Sequence, residues 1–303
     1  MIVVDNVCKS FKQTPALKDV SFVANDGELF GLIGPDGCGK TTLIRIMVTL
    51  ILADKGVVTL NGLDVVKDYR KIRKNIGYMP GKFSLYLDLS VDENIDFYAK
   101  VFGVSVSKNY YLIKDIYEQL APFKNRRAGQ LSGGMKQKLA LCCALIHKPD
   151  LLFLDEPTTG VDAVSRKEFW DMIDKLRHDG MTIIASTPYM DEASRCDRIA
   201  LMQNGTIMGE ESPQNIISHF EKNVFAIQVD NVSETLQHLK EWEKTYLVYL
   251  FGDSIHLTPA SNAVSENVIS SYLISSKINV LSVEKVAPNI EDCYIHLNYK
   301  ANK

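Results

Sequence analysis

The 303-residue sequence predicts an α/β fold built on a parallel sheet, followed by a smaller α+β domain. Three observations predict it. Short apolar runs alternate with helix-period segments as far as residue 212 or so. One of those runs leads directly into GPDGCGKT at 34–41, a phosphate-loop pattern with a helical segment behind it. From Val224 the order of elements changes to βαββαβ, the split unit of ferredoxin-like domains.

Taken in order, residues 1–33 read as β-hairpins. The apolar runs IVVDNV, LKDVSFVA and ELFGLI are separated by polar turns such as NDGE. LFGLI at 29–33 is continuously apolar, as in a sheet covered on both faces. Residues 40–52 read as helix, and VVTLNGLDV at 57–65 as a hairpin turning on Asn61-Gly62. From 90 to 147 the period is helical, through VDENIDFYAKVF, YYLIKDIYEQL and MKQKLALCCALIH. LLFLD at 151–155 and TIIAST at 182–187 are buried strands flanking the helix RKEFWDMIDKLRHDG, and IALMQNGTIM at 199–208 is a closing hairpin. Beyond it VFAIQVD, TYLVYLF, SIHLTP and INVLSVEKV are strands, with helices SETLQHLKEWEK and ENVISSYLISS between them. The boundary falls between a first domain of residues 1–215 and an accessory domain of residues 216–303.

Composition narrows the function classes. The chain is 46% hydrophobic and 23% charged, ordinary for a globular protein, and its net charge of −3 makes no case for a nucleic-acid partner. Its six cysteines form no CxxC pair and are expected to be buried free thiols. LALCCALI at 139–146, the longest apolar run, is far too short to cross a bilayer, and MIVVDNVCKSF opens directly as a strand. The expectation is a cytoplasmic chain whose membrane role would require a partner.

The phosphate loop carries the first chemistry. Its glycines, Gly34, Gly37 and Gly39, let backbone N–H groups turn toward phosphate oxygens, and the following helix adds its positive end. Lys40 reaches the β- and γ-phosphates, and the Thr41 hydroxyl suits Mg2+. With Pro35, Asp36, Cys38 and Thr42 these residues are the expected nucleotide site. LLFLDEP at 151–157 supplies the second half: Asp155 at a strand end to hold Mg2+ through water, and Glu156 beside it as general base.

LSGGMKQK at 131–138, between the phosphate loop and LLFLDEP, decides the resemblance. Over roughly residues 1–215 the chain resembles the ATP-binding-cassette (ABC) ATPases. That resemblance implies a P-loop core with an antiparallel β subdomain and a helical subdomain at about 82–147. It implies ATP and Mg2+ as cofactors, with Glu156 and Lys40 catalytic. It also implies a head-to-tail dimer in which Leu131, Ser132, Gly133, Gly134 and Gln137 complete the opposite subunit's site. Phe11 matches the aromatic that stacks on adenine, and Asp162 the aspartate that contacts the other subunit. Phe83, Leu85, Tyr86, Leu87 and Leu89 lie where the family receives helices of a membrane subunit, and are equally readable as core. GPDG, IEDCYIHL at 290–297 and the C-terminal extension look like the multidrug and antibiotic exporters whose ATPase and permease are separate chains. The reading is an ATP-binding subunit on the inner face of the cell membrane, driving membrane permease subunits. The alternative is an ABC-family ATPase or ATP-dependent regulatory module acting on a soluble complex.

Two positions depart from the family. Pro188 stands where a histidine normally orients the γ-phosphate, and Gly81, in GYMPGKF, where a glutamine normally touches Mg2+ and water. Both losses fall on the site built from this chain's own phosphate loop, while LSGG is intact. The expectation is an own site that binds ATP and turns over slowly, and pairing with a second, conventional ABC ATPase subunit in preference to a homodimer. Lys82 and Thr187 are the substitutes the sequence offers for the missing side chains.

Overall fold

A computed structural model describes residues 1–301. The chain divides into two compact units, Met1–Pro213 and a second that begins at Gln214.

The first unit holds two sheets. Strands β1 (Ile2–Phe11), β2 (Thr14–Ala24), β4 (Lys55–Leu60) and β5 (Leu63–Asp64) form an antiparallel sheet in the order β2-β1-β4-β5. Strands β3 (Leu29–Ile33), β6 (Ile76–Met79), β7 (Leu151–Asp155), β8 (Thr182–Thr187), β9 (Arg198–Gln203) and β10 (Thr206–Glu211) form the second, in the order β10-β9-β3-β8-β7-β6. All its pairs are parallel except β9 with β10. Every residue of β3, β7 and β8 is buried, the pattern of strands covered on both faces. Helix Lys40–Met47 buries Leu43, Ile44 and Met47 in one core with β1, β2, β3 and β4 residues, and Phe22 stacks on Phe30 at 4.8 Å.

The sequence reading missed β6 and the helix Tyr69–Asn75 before it. Both are short, and a four-residue apolar strand has too little period to announce itself. The helical region between β6 and β7 is organised by a cap and a buried amide. Ser90 caps helix Val91–Val101 in a capping box with Glu93. Fully buried Asn94 donates to the carbonyls of Tyr86, Leu89 and Ser90 and accepts from Tyr86 N, which fixes the 86–90 loop.

The second unit is a four-stranded antiparallel sheet. Its strands are β11 (Val224–Val229), β12 (Thr245–Phe251), β13 (Ser254–Pro259) and β14 (Val280–Val286), in the order β12-β13-β11-β14. With helices Val232–Glu241 and Glu266–Ser275 this is the ferredoxin-like arrangement. Phe225, Ile227, Ile255, Leu257, Leu239, Ile269 and Leu273 share its core. His256 alternates with Ile255 and Leu257, so it points to the other face. There it meets the helix Ile290–Ala301.

Asp292 fastens that helix. Its carboxylate accepts from Tyr249 Oη, lies 2.9 Å from His256 Nδ1 and accepts from Asn289 N at 2.8 Å. Burial, then the Asp292 hydrogen bond, holds the Tyr249 hydroxyl far above its usual titration range. Asp292→Ala removes the acceptor of the half-buried Tyr249 hydroxyl and the partner of the buried His256 ring. It is expected to destabilise this unit by about 3 kcal/mol. Thermal unfolding should show the loss, with Asp292→Asn falling in between.

Candidate active site

Four parallel strands deliver their carboxyl ends to one place. Ile33 pairs with Thr187, Asp155 with Ser186 and Met79 with Leu154, so the segments that follow β3, β8, β7 and β6 meet at one sheet edge. Ligand sites of open α/β sheets occupy this position. The phosphate loop leaves β3 there, and Gly39, at φ 114°, starts helix Lys40–Met47.

Lys40 is 2% exposed. Its ammonium donates to Gly34 O at 2.8 Å and Pro35 O at 3.0 Å and lies 3.2 Å from Glu156 Oε1. An ammonium so buried needs these oxygens, because nothing else offsets its lost hydration. Thr41 Oγ1 donates to Asp155 Oδ1 at 3.0 Å, so the two expected Mg2+ groups are adjacent. Both are hard oxygen donors, as a divalent cation of that kind takes. Cys38 is buried inside the loop, and burial pushes its thiol up against the opposing pull of Lys40.

Glu156 adopts φ 50°, which a side chain with a Cβ enters at a cost of about 1 kcal/mol. Its N–H donates to Ser186 O at 3.1 Å and Ser186 Oγ at 3.0 Å. Ser186 Oγ in turn donates to Asp155 Oδ1 at 2.9 Å. One buried hydroxyl therefore positions both acidic residues, and the sequence reading passed it over. The signal was present: Ser186 directly follows the apolar run at 183–185 in a buried strand, one step before Thr187-Pro188.

The two departures take definite form. A Cβ on Gly81 would lie 2.9 Å from Asp155 O, a backbone atom, so no side chain fits at 81 unless the 79–83 segment moves. Thr187 is no substitute for the missing histidine. It is fully buried, donates its hydroxyl proton to Glu192 and accepts from Tyr189 N at 3.0 Å. Lys82 is exposed.

The remaining site residues fall on other elements of the first unit. Phe11 is 51% exposed at the tip of the β1–β2 hairpin, with Lys9 over its ring, so it is no core residue. Leu131 is buried. Ser132 is exposed and caps helix Gly133–Leu145, accepting from Met135 N at 3.3 Å. Gly134 packs so tightly on Ser165 that a Cβ there would lie 2.6 Å from its hydroxyl, and Gln137 is half-buried on the same helix. Exposed Asp162 caps helix Ala163–His178 through Ser165 N at 2.9 Å, which holds its carboxyl below the usual range. The LSGG turn and Asp162 thus form one surface across Gly134 and Ser165.

The residues read as either docking patch or core differ in burial. Leu85 is buried, Tyr86 and Leu87 are exposed, and Phe83 and Leu89 are half-buried. Leu85 lines a largely apolar pocket of about 280 Å3 with Leu50, Arg73, Tyr98, Phe102 and His147. Phe102 and His147 stack at 3.7 Å, and burial lowers the His147 pKa.

Comparison with known proteins identifies the family. The family model for ABC transporter matches residues 17–159. A probable multidrug ABC transporter ATP-binding protein, YbhF of Escherichia coli (strain K12), is 34% identical over 287 residues, covering 93% of this chain and 49% of that protein. The chain therefore spans about half the length of the YbhF proteins it matches. Nod factor export ATP-binding protein I of Rhizobium sp. (strain N33) is 37% identical over 240 residues, 78% of this chain and 79% of that one. The linearmycin resistance ATP-binding protein LnrL of Bacillus subtilis (strain 168) is 29% identical over 98% of both. Among solved structures, a dimeric ATP-binding cassette in a post-hydrolysis state with ADP and Pi superposes with TM-score 0.64 at 28% identity, over 70% of this chain and 98% of that one. The chain belongs to the ABC transporter ATP-binding family.

Proposed function

We propose that this chain is the ATP-binding subunit of an exporter. In this reading it binds ATP at residues 34–42, hydrolyses it slowly at its own site, and drives separate membrane permease subunits with a second ABC ATPase subunit. The observation that carries the reading is the contrast within one site. Lys40, Thr41, Asp155 and Glu156 are assembled within hydrogen-bond or ion-pair reach of one another, while positions 81 and 188 offer no side-chain donor.

The roles follow from the geometry. The N–H groups of residues 34–42 and the Lys40 ammonium bind the phosphates. Thr41 and Asp155 hold Mg2+, which neutralises phosphate charge when bound. Glu156, pinned by Ser186, faces the site as the base for an attacking water. Without an imidazole at 188, nothing there orients that water against the γ-phosphate, and losing one such contact slows turnover by about 10²–10³-fold. Exposed Ser132 and Gly133, with Asp162, serve the opposite subunit's nucleotide. The apolar pocket beside Leu85 is the proposed seat for a helix of the permease. Among the described residues no helix is long and apolar enough to cross a membrane, which fits a subunit peripheral on the inner face of the cell membrane. The names of relatives in multidrug, linearmycin-resistance and Nod-factor export support the direction of transport.

Steady-state ATP hydrolysis by the purified chain, beside Pro188→His, tests the reading. The single variant is the cleaner comparison, because Gly81→Gln must first displace backbone. Slow turnover that rises at least about tenfold in Pro188→His supports it. Brisk turnover by the unmodified chain alone contradicts it.

A further inference from the structure

Glu192 is buried, yet no motif claims it. Its side chain is 2% exposed. Thr158 donates to Oε1 at 2.7 Å and Thr187 donates to Oε2, and both threonines are buried. Oε1 also lies 3.7 Å from Arg166 Nε, a buried donor that has no hydrogen-bond partner. Arg166 covers the Tyr189 ring at 4.2 Å, and its N–H bonds to Asp162 O at 2.9 Å.

One carboxylate thus joins three segments that each touch the site. Thr158 follows Glu156 by two residues. Thr187 ends β8, and its carbonyl accepts from Gly34 N at 3.3 Å, at the first glycine of the phosphate loop. Arg166 lies in the first turn of the helix that Asp162 caps. Burying a carboxylate is costly unless its acceptor sites are filled. Here each oxygen takes a hydroxyl proton, which fixes the direction of both bonds: Thr187 Oγ1 must accept from Tyr189 N because its own proton is spent on Glu192.

We propose that Glu192 is a positioning residue for nucleotide binding. It holds Thr187, and through the Thr187 carbonyl the Gly34 end of the phosphate loop, in register with the Thr158 segment. The unclosed Arg166 pair gives the Asp162 surface a route to the same carboxylate. The proposal rests on the reading that residues 34–42 bind ATP.

Calorimetric titration of the full chain with ATP and Mg2+ tests it, with thermal midpoints read beside the affinities. Glu192→Gln and Thr187→Val are each expected to weaken binding by about tenfold, the worth of one hydrogen bond to a charged group. Their effects should not add in the double variant, because both break the same link. Thr187→Ser keeps the hydroxyl and should bind as the unmodified chain does. If the unmodified chain binds no ATP, the phosphate-loop reading fails and this proposal with it. If it binds while Glu192→Gln lowers only the midpoint, or the two effects add fully, the carboxylate is structural and the proposal alone is overturned. Should Glu192→Gln not fold, equal affinities of Thr187→Val and Thr187→Ser overturn it.

Discussion

Lys40→Met abolishes measurable ATP binding while the protein stays folded: this is the largest functional effect expected of any single substitution in the chain. The ammonium is 2% exposed and rests on two loop carbonyls and Glu156. Methionine matches the length and bulk of the stem without the charge. Each charge-assisted contact to a phosphate oxygen contributes about 1.5–3 kcal/mol, so losing two lowers affinity by at least about a hundredfold. The fold should tolerate the change. Glu156 is partly open to water, and a resolvated carboxylate limits the stability loss to about 1–2 kcal/mol. Calorimetry and thermal unfolding on the same sample separate the two effects. Retained ATP affinity would mean that the nucleotide binds elsewhere.

Gly34→Ala is expected to destabilise the first unit strongly. A Cβ there would lie 2.3 Å from Met202 O and 2.9 Å from Cys38 Sγ. The first of these belongs to the β9 backbone, paired to β3, and has little room to retreat. Overpacking of this kind costs about 3 kcal/mol, or roughly 6–12 °C in the thermal midpoint of a domain this size. Gly37→Ala is the informative control. Its Cβ meets nothing within 4 Å, and its φ of 79° carries only the penalty of about 1 kcal/mol for a left-handed residue. Equal midpoints for the two variants would show that the close approach to Met202 is not limiting.

How far the sequence could be read follows from where the information lies. The phosphate loop was legible because strand, glycines and helix sit within about twenty residues and each has its own period or motif. The βαββαβ order was legible for the same reason, since every element there is long enough to show its pattern. What stayed hidden depends on contacts between distant segments. Ser186 reaches Asp155 thirty-one residues away, and Glu192 reaches Thr158 across thirty-four. In a linear reading Ser186 is one polar residue in a strand and Glu192 one acid in a charged turn. The helix at Ile290–Ala301 went unassigned because its contacts run through Asp292 to Tyr249 and His256 on two other strands. Gly81 shows a third kind of limit. The sequence reports a missing glutamine, whereas the structure shows that the backbone has closed to where no side chain fits.

In the proposed function this chain's own site binds ATP and holds it with little turnover. The fate of bound nucleotide tests that most directly. The purified chain is loaded with Mg2+ and labelled ATP, freed of unbound nucleotide, and the bound label is resolved over time. The label is expected to stay with the protein and stay ATP, and in Pro188→His to pass to ADP. Prompt conversion to ADP by the unmodified chain alone would show a competent site without the histidine, and would overturn the proposed slow turnover.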